Sequence, residues 1–278
     1  MNYRHAFHAG NHADVVKHMA LLYCLDALRR KDAPFGVLDT HAGAGRYDLF
    51  SAEAMRSGEW RQGVGLIWDW ANAPEAVKRL VAAVSANNAD GALRYYPGSP
   101  LLIAQNLRGH DRLDACELEA KAYAELRRAT PNAHLHRRDG WEALTGLLPL
   151  KERRGLVLID PPYEEGDELQ KAAAAIAQAL HRFGYGIYLW WRPLKSLREL
   201  ASADAVLKTN ATLKTKSPAK LMRADFWVDT PAPGGALLGS SLILINAPFG
   251  AEAALKEGLA ALAKRLARGA AGWRLQAL

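Results

Sequence analysis

The side chains best suited to chemistry stand where an apolar run ends, at Asp160-Pro161-Pro162-Tyr163. Residues 156–159 are all apolar and two prolines stop them, which predicts a buried parallel strand with an acid at its carboxyl end. Because proline lacks an N–H group, the turn leaves backbone carbonyls as acceptors beside the Asp160 carboxylate. An amine placed there would be held by two acceptors, and the ring of Tyr163 would offer a face for stacking.

This tetrapeptide resembles the Asp-Pro-Pro-Tyr signature of S-adenosylmethionine-dependent methyltransferases that modify exocyclic amino groups. The amino nitrogen of a base is conjugated into its ring, so it is a poor nucleophile until hydrogen bonds to both protons favour a tetrahedral nitrogen. Asp160 and the carbonyl of Pro161 would accept those bonds, and Tyr163 would stack on the base. A strand and a Pro-Pro turn in some other α/β protein is the alternative that these residues leave open.

A second short strand leads into a glycine-bearing turn. Residues 35–38 include three apolar positions, and Asp39 is followed by His41, Gly43 and Gly45. Small residues at a strand end let a ligand approach the backbone closely. The spacing does not match the dinucleotide fingerprint Gly-x-Gly-x-x-Gly. It resembles methyltransferase motif I, with His41 where that motif usually has its first glycine.

Two further predicted strands end in polar residues. The strand over 112–117 ends in Glu117, and an acid at this place accepts hydrogen bonds from ribose hydroxyls in nucleotide-binding sheets. The strand over 134–137 is followed by Asp139-Gly140. That dipeptide fits a contact with the adenine amino group of a cofactor, and it fits a plain turn equally well.

Two predicted helices carry ligand candidates. Ser99 precedes the helix over 101–107, where it either caps the helix or binds a ligand near its N-terminus. Another helix starts after Asn11, a good N-cap residue, and contains His18. His18 is either a half-buried histidine beside the apolar face or, if this helix covers the site, a cofactor contact.

The first eleven residues show neither helical nor strand periodicity. Tyr3 and Arg4 open this aromatic and basic arm, which suits a nucleic-acid base and its phosphate. The histidines at 5, 8 and 12 have spacings that could ligate a metal. Without an accompanying cysteine or acid cluster, an ordinary ordered segment is the better interpretation, and no metal site is predicted.

The alternation of predicted strands and helices is interrupted over residues 48–96. Helices are predicted over 51–57 and 74–88 with no strong strand between them, so we expect an inserted helical subdomain within one methyltransferase domain that spans 1–278. Its basic residues are Arg56, Arg61, Lys78 and Arg79. They could bind a polyanion, or they could simply form a solvated helical face.

The second half continues the α/β alternation. Helices are predicted over 120–128, 141–148, 167–183, 193–201 and 251–269, and strands over 186–191, 224–228 and 241–245. The last two strands are expected to form an antiparallel pair. Residues 208–220 carry four lysines and no acid, which predicts either a basic loop facing the substrate or a disordered one.

The composition of the chain limits the kinds of partner and environment that fit it. The chain has 278 residues, of which 50% are apolar, and its net charge is +7. A basic balance favours an anionic partner, because neutralised phosphates release counterions. The only cysteines, Cys24 and Cys116, predict buried thiols in a reducing cytoplasm. No signal peptide and no membrane-spanning run is recognised.

With its motifs in place, the chain resembles the RlmJ family of 23S ribosomal RNA (adenine-N6) methyltransferases nearly from end to end. The most specific stretches are YRHAFHAGNHADV at 3–15, LDTHAGAGRY at 38–47, RYYPGSP at 94–100 and IDPPYE at 159–164. The histidine in the glycine turn is part of this family's pattern. The resemblance implies a Rossmann-like α/β fold with an inserted helical subdomain. It also implies a monomer that acts on 23S ribosomal RNA, either protein-free or in an early assembly intermediate.

The resemblance also carries residue roles. It makes Asp160 the catalytic residue and Tyr3 a contact to the RNA. It places S-adenosylmethionine against His18, His41, Ser99, Glu117, Asp139, Gly140 and Asp160.

Three other functions are compatible with parts of this pattern. A guanine-N2 RNA methyltransferase or an adenine-N6 DNA methyltransferase would use the same tetrapeptide, because the motif does not reveal the base. A non-enzymatic RNA-binding protein could keep a relic pocket. An NAD-dependent oxidoreductase is disfavoured, since the glycine spacing is wrong and a Pro-Pro turn has no role in hydride transfer.

Overall fold

The computed structural model describes residues 4–163, 167–195, 197–212, 219–231 and 237–278. Its strands are β1 (Gly36–Asp39), β2 (Arg46–Asp48), β3 (Tyr95–Pro97), β4 (Arg112–Cys116), β5 (His134–His136), β6 (Gly155–Ile159), β7 (Ile187–Pro193), β8 (Leu221–Trp227), β9 (Gly239–Ile245) and β10 (Gly272–Ala277). Its helices are α1 (His12–Arg29), α2 (Ala52–Ser57), α3 (Val64–Ile67), α4 (Glu75–Ser85), α5 (Ser99–Ala104), α6 (Ala120–Ala129), α7 (Gly140–Gly146), α8 (Glu168–Arg182), α9 (Leu197–Thr212) and α10 (Ala251–Arg265).

One mixed sheet of eight described strands forms the centre of the fold. Its order is β5-β4-β1-β6-β7-β9-β8-β10, and the run from β5 to β7 is parallel. β9 is antiparallel to both of its neighbours, which confirms the predicted antiparallel pairing of the last two strands. This arrangement confirms the expected Rossmann-like methyltransferase fold. From β1 the chain moves outward to β4, whereas β6 starts the other half, so the topological switch point lies between β1 and β6.

The switch point is built from wholly buried strands and one internal helix. Every residue of β1 and β6 is buried, as expected for central parallel strands, and the acid Asp39 at the end of β1 is buried with them. α1 has 14 buried residues among its 18, so it is a core helix, and it packs on β6, β7 and β9. Its start is the predicted one, because the Asn11 side chain accepts hydrogen bonds from the backbone N–H groups of Ala13 and Asp14.

The segment over 48–96 is largely helical. The predicted helices correspond to α2 and α4, and α3 lies between them. Residues 95–97, for which no strand is predicted, form β3, which pairs antiparallel with β2 outside the main sheet. Each of these two strands has only three residues, which is too short to show the alternating pattern that predicts a strand. The division of this segment into a subdomain stays a prediction.

The C-terminal part departs from the predictions in three places. The helix expected over 193–201 is wrong at both ends, since 187–193 forms β7 and α9 runs from Leu197 to Thr212. Residues 208–212 of the expected basic loop are therefore helical, and residues 213–218 lie outside the described residues. The last predicted helix ends at Arg265, and an unforeseen strand, β10, follows it.

Two further features concern the whole chain. Cys24 and Cys116 are free and buried, as predicted. Across the described ranges, no helix combines the length and the apolar character needed to cross a membrane.

Candidate active site

A cavity of about 760 Å³ opens at the carboxyl ends of the parallel strands β1, β4, β5 and β6. Its volume is in the range of small-molecule and cofactor sites. The cavity is lined by all seven residues that the resemblance assigned to the cofactor and also by Arg4 and Pro161; these seven are His18, His41, Ser99, Glu117, Asp139, Gly140 and Asp160. Residues far apart in the chain meet here because parallel strands place their carboxyl ends along one edge.

Asp160 follows β6 and forms an ion pair that the sequence did not reveal. The Nζ atom of Lys17 donates a short hydrogen bond to Asp160 Oδ2, and it lies 2.8 Å from Asp14 Oδ1. All three side chains are largely buried, with exposed fractions of 14% for Asp160, 5% for Lys17 and 2% for Asp14. One ammonium thus stands between two carboxylates at the inner wall of the cavity.

The charge on Lys17 is strongly stabilised. Burial disfavours its ammonium, but the carboxylates of Asp14 and Asp160 outweigh that cost and raise the pKa of Lys17. The same ammonium lowers the pKa of Asp14 against its own burial. Lys17 therefore stays protonated and supplies a fixed positive charge beside Asp160.

Tyr163 follows the Asp160-Pro161-Pro162 turn and is not one of the residues that line the cavity. Its hydroxyl donates to the backbone carbonyl of Trp191 at 2.8 Å and accepts from Trp190 Nε1 at 2.6 Å. Its backbone has φ of +53°, a left-handed conformation that non-glycine residues rarely adopt. With the hydroxyl engaged twice, only the ring of Tyr163 is available for a substrate.

Ser99 does not cap a helix, so that alternative for this residue is wrong. α5 begins at Ser99 itself and Gly98 occupies the N-cap position, which puts the Ser99 hydroxyl in another role. It donates a 2.7 Å hydrogen bond to Asp39 Oδ2, at the carboxyl end of β1. Burial, with a smaller contribution from Asp160, raises the pKa of Asp39 to about 7, although the Ser99 bond and Lys17 oppose the shift.

Two histidines, the buried His18 and the half-buried His41, line the cavity in their neutral form. His18 is fully buried rather than half-buried, and its Nδ1 atom lies 2.8 Å from the Tyr96 hydroxyl. Burial lowers the pKa of His18 to about 3 and that of His41 to about 4. Among the described residues, His18 Nε2 has no hydrogen-bond partner. A buried polar atom without a partner on a cavity wall is suited to receive a ligand.

The glycine turn is anchored by Glu117. Gly43 has φ of +65°, and its N–H donates to Glu117 Oε2 at 2.9 Å. The other carboxylate oxygen accepts from the backbone N–H of Glu119 at 2.8 Å. Burial raises the pKa of Glu117. The acid that follows β4 therefore also shapes the turn that follows β1.

Asp139 and Gly140 begin α7. Asp139 is the N-cap, and its side chain accepts from the N–H groups of Trp141 and Glu142, so the turn has a capping role as well as a place in the cavity. A Cβ atom on Gly140 would stand 2.1 Å from the Thr40 carbonyl oxygen. Only glycine fits this contact between the turns that follow β1 and β5.

The N-terminal arm is described from Arg4 onward, and Tyr3 lies outside the described residues. Arg4 pairs with Glu53 at 2.6 Å at the cavity rim. His5 Nε2 lies 3.1 Å from Asp14 Oδ2, and His8 Nδ1 lies 3.0 Å from Glu59 Oε2. Within the described ranges, no group of three His, Cys, Asp or Glu side chains could hold a metal ion.

Sequence reasoning missed the roles of Asp14 and Lys17. A signal was present, because a predicted apolar helix carries three ionisable residues, 14, 17 and 18, among buried positions. Charged residues are almost never fully buried unless they are paired. The partner across the fold, 143 residues away in the case of Lys17 and Asp160, cannot be identified from spacing.

Comparison with known proteins identifies the family. A family model described as "Ribosomal RNA large subunit methyltransferase D, RlmJ" matches residues 32–278. The chain belongs to this RlmJ family. A Haemophilus influenzae relative named "Ribosomal RNA large subunit methyltransferase J" is 37% identical over 281 residues, covering 99% of this chain and 98% of the relative. An Escherichia coli K12 relative of the same name is 38% identical over 255 residues, covering 91% and 89%.

A solved structure shares the RlmJ-family fold. The crystal structure of a Legionella pneumophila protein superposes with a TM-score of 0.88 at 30% sequence identity. The match covers 97% of this chain and 98% of that chain. The arrangement of strands and helices is therefore common to both proteins over their whole described lengths.

Proposed function

We propose that this RlmJ-family protein transfers the methyl group of S-adenosylmethionine to the N6 amino group of an adenine in 23S ribosomal RNA. The observation that carries the proposal is that one cavity holds both the glycine turn after β1 and the Asp160-Pro161 turn after β6. The first is a turn that suits a nucleotide-like cofactor, and the second offers two acceptors to an amine. Family membership supports ribosomal RNA as the substrate.

The residues around the glycine turn fit the cofactor. His18 Nε2 is a buried donor or acceptor that has no hydrogen-bond partner among the described residues, and Gly43 lines the cavity. Glu117 would receive the ribose hydroxyls, and Asp139 with Gly140 would face the adenine ring. When bound, S-adenosylmethionine supplies an electrophilic methyl group on a sulfonium.

The Asp160 turn would hold and orient the target amine. Its carboxylate and the Pro161 carbonyl each accept one amino proton, which favours a tetrahedral nitrogen with its lone pair directed into the cavity. Asp14 and Asp160 share the charge of Lys17, so the ammonium fixes the Asp160 carboxylate in place. Orientation and fixed charges of this kind supply most of the rate enhancement in such a transfer.

The target base must leave its stack to reach this turn, at a cost of a few kcal/mol. The ring of Tyr163 would stack on it and recover part of that cost, since one base-aromatic contact is worth about 1–3 kcal/mol. After transfer the nitrogen is cationic and releases a proton to Asp160 or to water.

Labelled S-adenosylmethionine and protein-free, unmodified 23S ribosomal RNA test this proposal. We expect labelled N6-methyladenosine after digestion to nucleosides. The Asp160→Asn variant keeps the shape of the side chain and should transfer methyl groups at least about 100-fold more slowly, with an unchanged circular dichroism spectrum. Labelled N2-methylguanosine, transfer to DNA alone, or substantial activity of the folded variant would each contradict the proposal.

A further inference from the structure

One wall of the cavity continues outward into a surface of arginine and aromatic side chains. Arg46 and Asp48 on β2, and Ser51 before α2, line the cavity, and the residues around them face outward. We call this the aromatic-arginine surface; it comprises Arg46, Phe50, Trp60, Arg61, Arg94 and Tyr95.

The first part of this surface is a sandwich on the β2–β3 ribbon. The guanidinium of Arg46 lies 4.8 Å from the centre of the Tyr95 ring, and that of Arg94 lies 5.2 Å from it. Both arginines are exposed. Antiparallel pairing puts Asp48 opposite Tyr95 and fixes the ribbon's geometry. Flat guanidinium groups held over a ring in this way are pre-oriented to stack on bases and to contact phosphates.

The second part is the exposed ring of Phe50 beside the half-buried ring of Trp60. Phe50 has 54% of its surface exposed, and its ring centre lies 5.9 Å from that of Trp60. The Arg61 guanidinium lies 4.9 Å from the Trp60 ring centre. Phe50 stands between the cavity-lining residues Asp48 and Ser51. An apolar ring this exposed at the rim of a cavity marks a contact surface rather than a packing residue.

Local ion pairing leaves the surface positive. Its neighbouring acids are already paired, Asp48 with Arg94 at 3.1 Å and Glu53 with Arg4 at 2.6 Å. Arg46 and Arg61 form no ion pair with a carboxylate in the part of the chain that the structure describes. By contrast, Arg79, which the sequence offered as another polyanion contact, bonds to Asp26 and Asn106.

We propose that the aromatic-arginine surface binds the single-stranded RNA that flanks the target adenine. The exposed ring of Phe50 suits an unstacked base, because every base has a π face, and the guanidinium groups of Arg46 and Arg61 suit the neighbouring phosphates. A duplex would hide its base faces, so the surface favours a loop or an opened strand. The inference rests on the proposed function, since it assigns the neighbours of the methylated base to the wall beside the Asp160 turn.

Steady-state methyl transfer to a 23S ribosomal RNA fragment tests the surface with matched variants. Phe50→Ala and Arg46→Ala are compared with Phe249→Ala, whose ring is 93% exposed elsewhere, and with Arg29→Ala at the far end of α1. We expect Phe50→Ala to raise KM for RNA at least about fivefold. Arg46→Ala should raise KM for RNA. It should also reduce, by about one, the slope of the logarithm of the RNA-binding constant against the logarithm of the salt concentration. In Phe50→Ala, whose side chain does not line the cavity, the affinity for S-adenosylmethionine and kcat at saturating RNA should match the wild type.

The outcomes separate this inference from the function it rests on. If the wild-type protein forms no N6-methyladenosine, the proposed function fails. If the wild type is active but KM and the salt slope of both surface variants equal those of the two controls, the surface proposal fails while the function stands. A parallel loss of cofactor affinity in Phe50→Ala would also overturn it, because the residue would then support the cavity rather than the RNA.

Discussion

At the level of single residues, the pairing of Lys17 with Asp160 distinguishes this site. Three charged groups, Asp14, Lys17 and Asp160, are withdrawn from water together. Buried charges are costly unless each has a partner, so the ammonium is needed to keep two carboxylates in one apolar region. Its second partner, Asp14, also accepts a 2.9 Å bond from the Gly10 N–H, so Asp14 and Lys17 connect the arm before α1 to the Asp160 turn.

Replacing Lys17 with Met should damage both stability and activity. The variant keeps the volume but leaves two buried carboxylates without a cation, so we expect a loss of about 3 kcal/mol in the free energy of unfolding. Methyl transfer should fall at least about 100-fold because Asp160 is no longer fixed. Urea denaturation and single-turnover assays measure the two effects.

The Lys17→Arg variant is the control for that experiment, because it keeps the positive charge. It should retain more of the unfolding free energy than Lys17→Met. Equal stability of Lys17→Met and the wild type would show that the ion pair is not a structural requirement.

The sequence identified one side of this arrangement better than the other. Asp160 and Pro161 are recognisable because an apolar run, an acid and two prolines form a local pattern. Lys17 belongs to the same site only through contacts between α1 and the end of β6, and such contacts depend on the whole fold. The Ser99 hydroxyl shows the same limit, since the sequence does not distinguish a helix cap, which the structure excludes, from the bond to Asp39 that it shows.

At the level of elements, β7 holds Tyr163 in position through its hydroxyl group. Trp190 is fully buried on this strand, and its indole N–H and the Trp191 carbonyl together hold the Tyr163 hydroxyl. Two strands thus cooperate, since β6 delivers the aromatic ring and β7 fixes its angle. This contact is consistent with a stacking role for the ring.

Trp190→Phe should therefore weaken substrate binding without touching the cofactor. The phenol loses one of two hydrogen bonds, so the ring is less well oriented, and we expect KM for RNA to rise several-fold while S-adenosylmethionine affinity stays constant. Adding Trp190→Phe to Tyr163→Phe should cost little more than Tyr163→Phe alone, because both remove the same bond.

Trp227→Phe is a suitable control for this prediction. Its indole bonds to the Ala270 carbonyl at 3.0 Å, away from the cavity. Full additivity of Trp190→Phe and Tyr163→Phe in a double-mutant cycle would argue that the two residues act independently.

Helices and strands with a clear apolar pattern could be predicted from the sequence. The shortest strands and the last strand of the chain could not. The strands β1 and β6 and the helices α1 and α8 follow from continuous or helical apolar patterns. The ribbon of β2 and β3 has three residues in each strand and depends on its partner rather than on a pattern. β10 was missed because its burial is only partial, which weakens the alternation.

At the scale of the whole molecule, Asp39 should make stability depend on pH. Its pKa rises from 3.8 to about 7 in the folded protein, so between these values the folded state holds a proton that the unfolded state releases. This contribution is complete below pH 3.8 and is lost as the pH rises through 7. Protonation of Asp39 therefore stabilises the folded state relative to the unfolded state at the acidic end of that pH window.

Asp39→Asn should remove this dependence while keeping an acceptor for Ser99. From pH 4 to pH 8, we expect the wild type to lose on the order of 4 kcal/mol of unfolding free energy relative to the variant. Urea denaturation of both proteins across that range measures the difference. Parallel stability curves would show that Asp39 does not change its protonation in this window.

The strand order also dictates an order of assembly during protein synthesis. β8 joins the sheet only through β9, which lies between it and β7, although β8 comes first in the chain. On a translating ribosome, β8 therefore leaves the exit tunnel before its partner β9 has emerged. Its far edge is covered later still, by β10. A nascent chain that pauses between β8 and β9 exposes an unpaired, largely apolar strand, and this is where aggregation would begin.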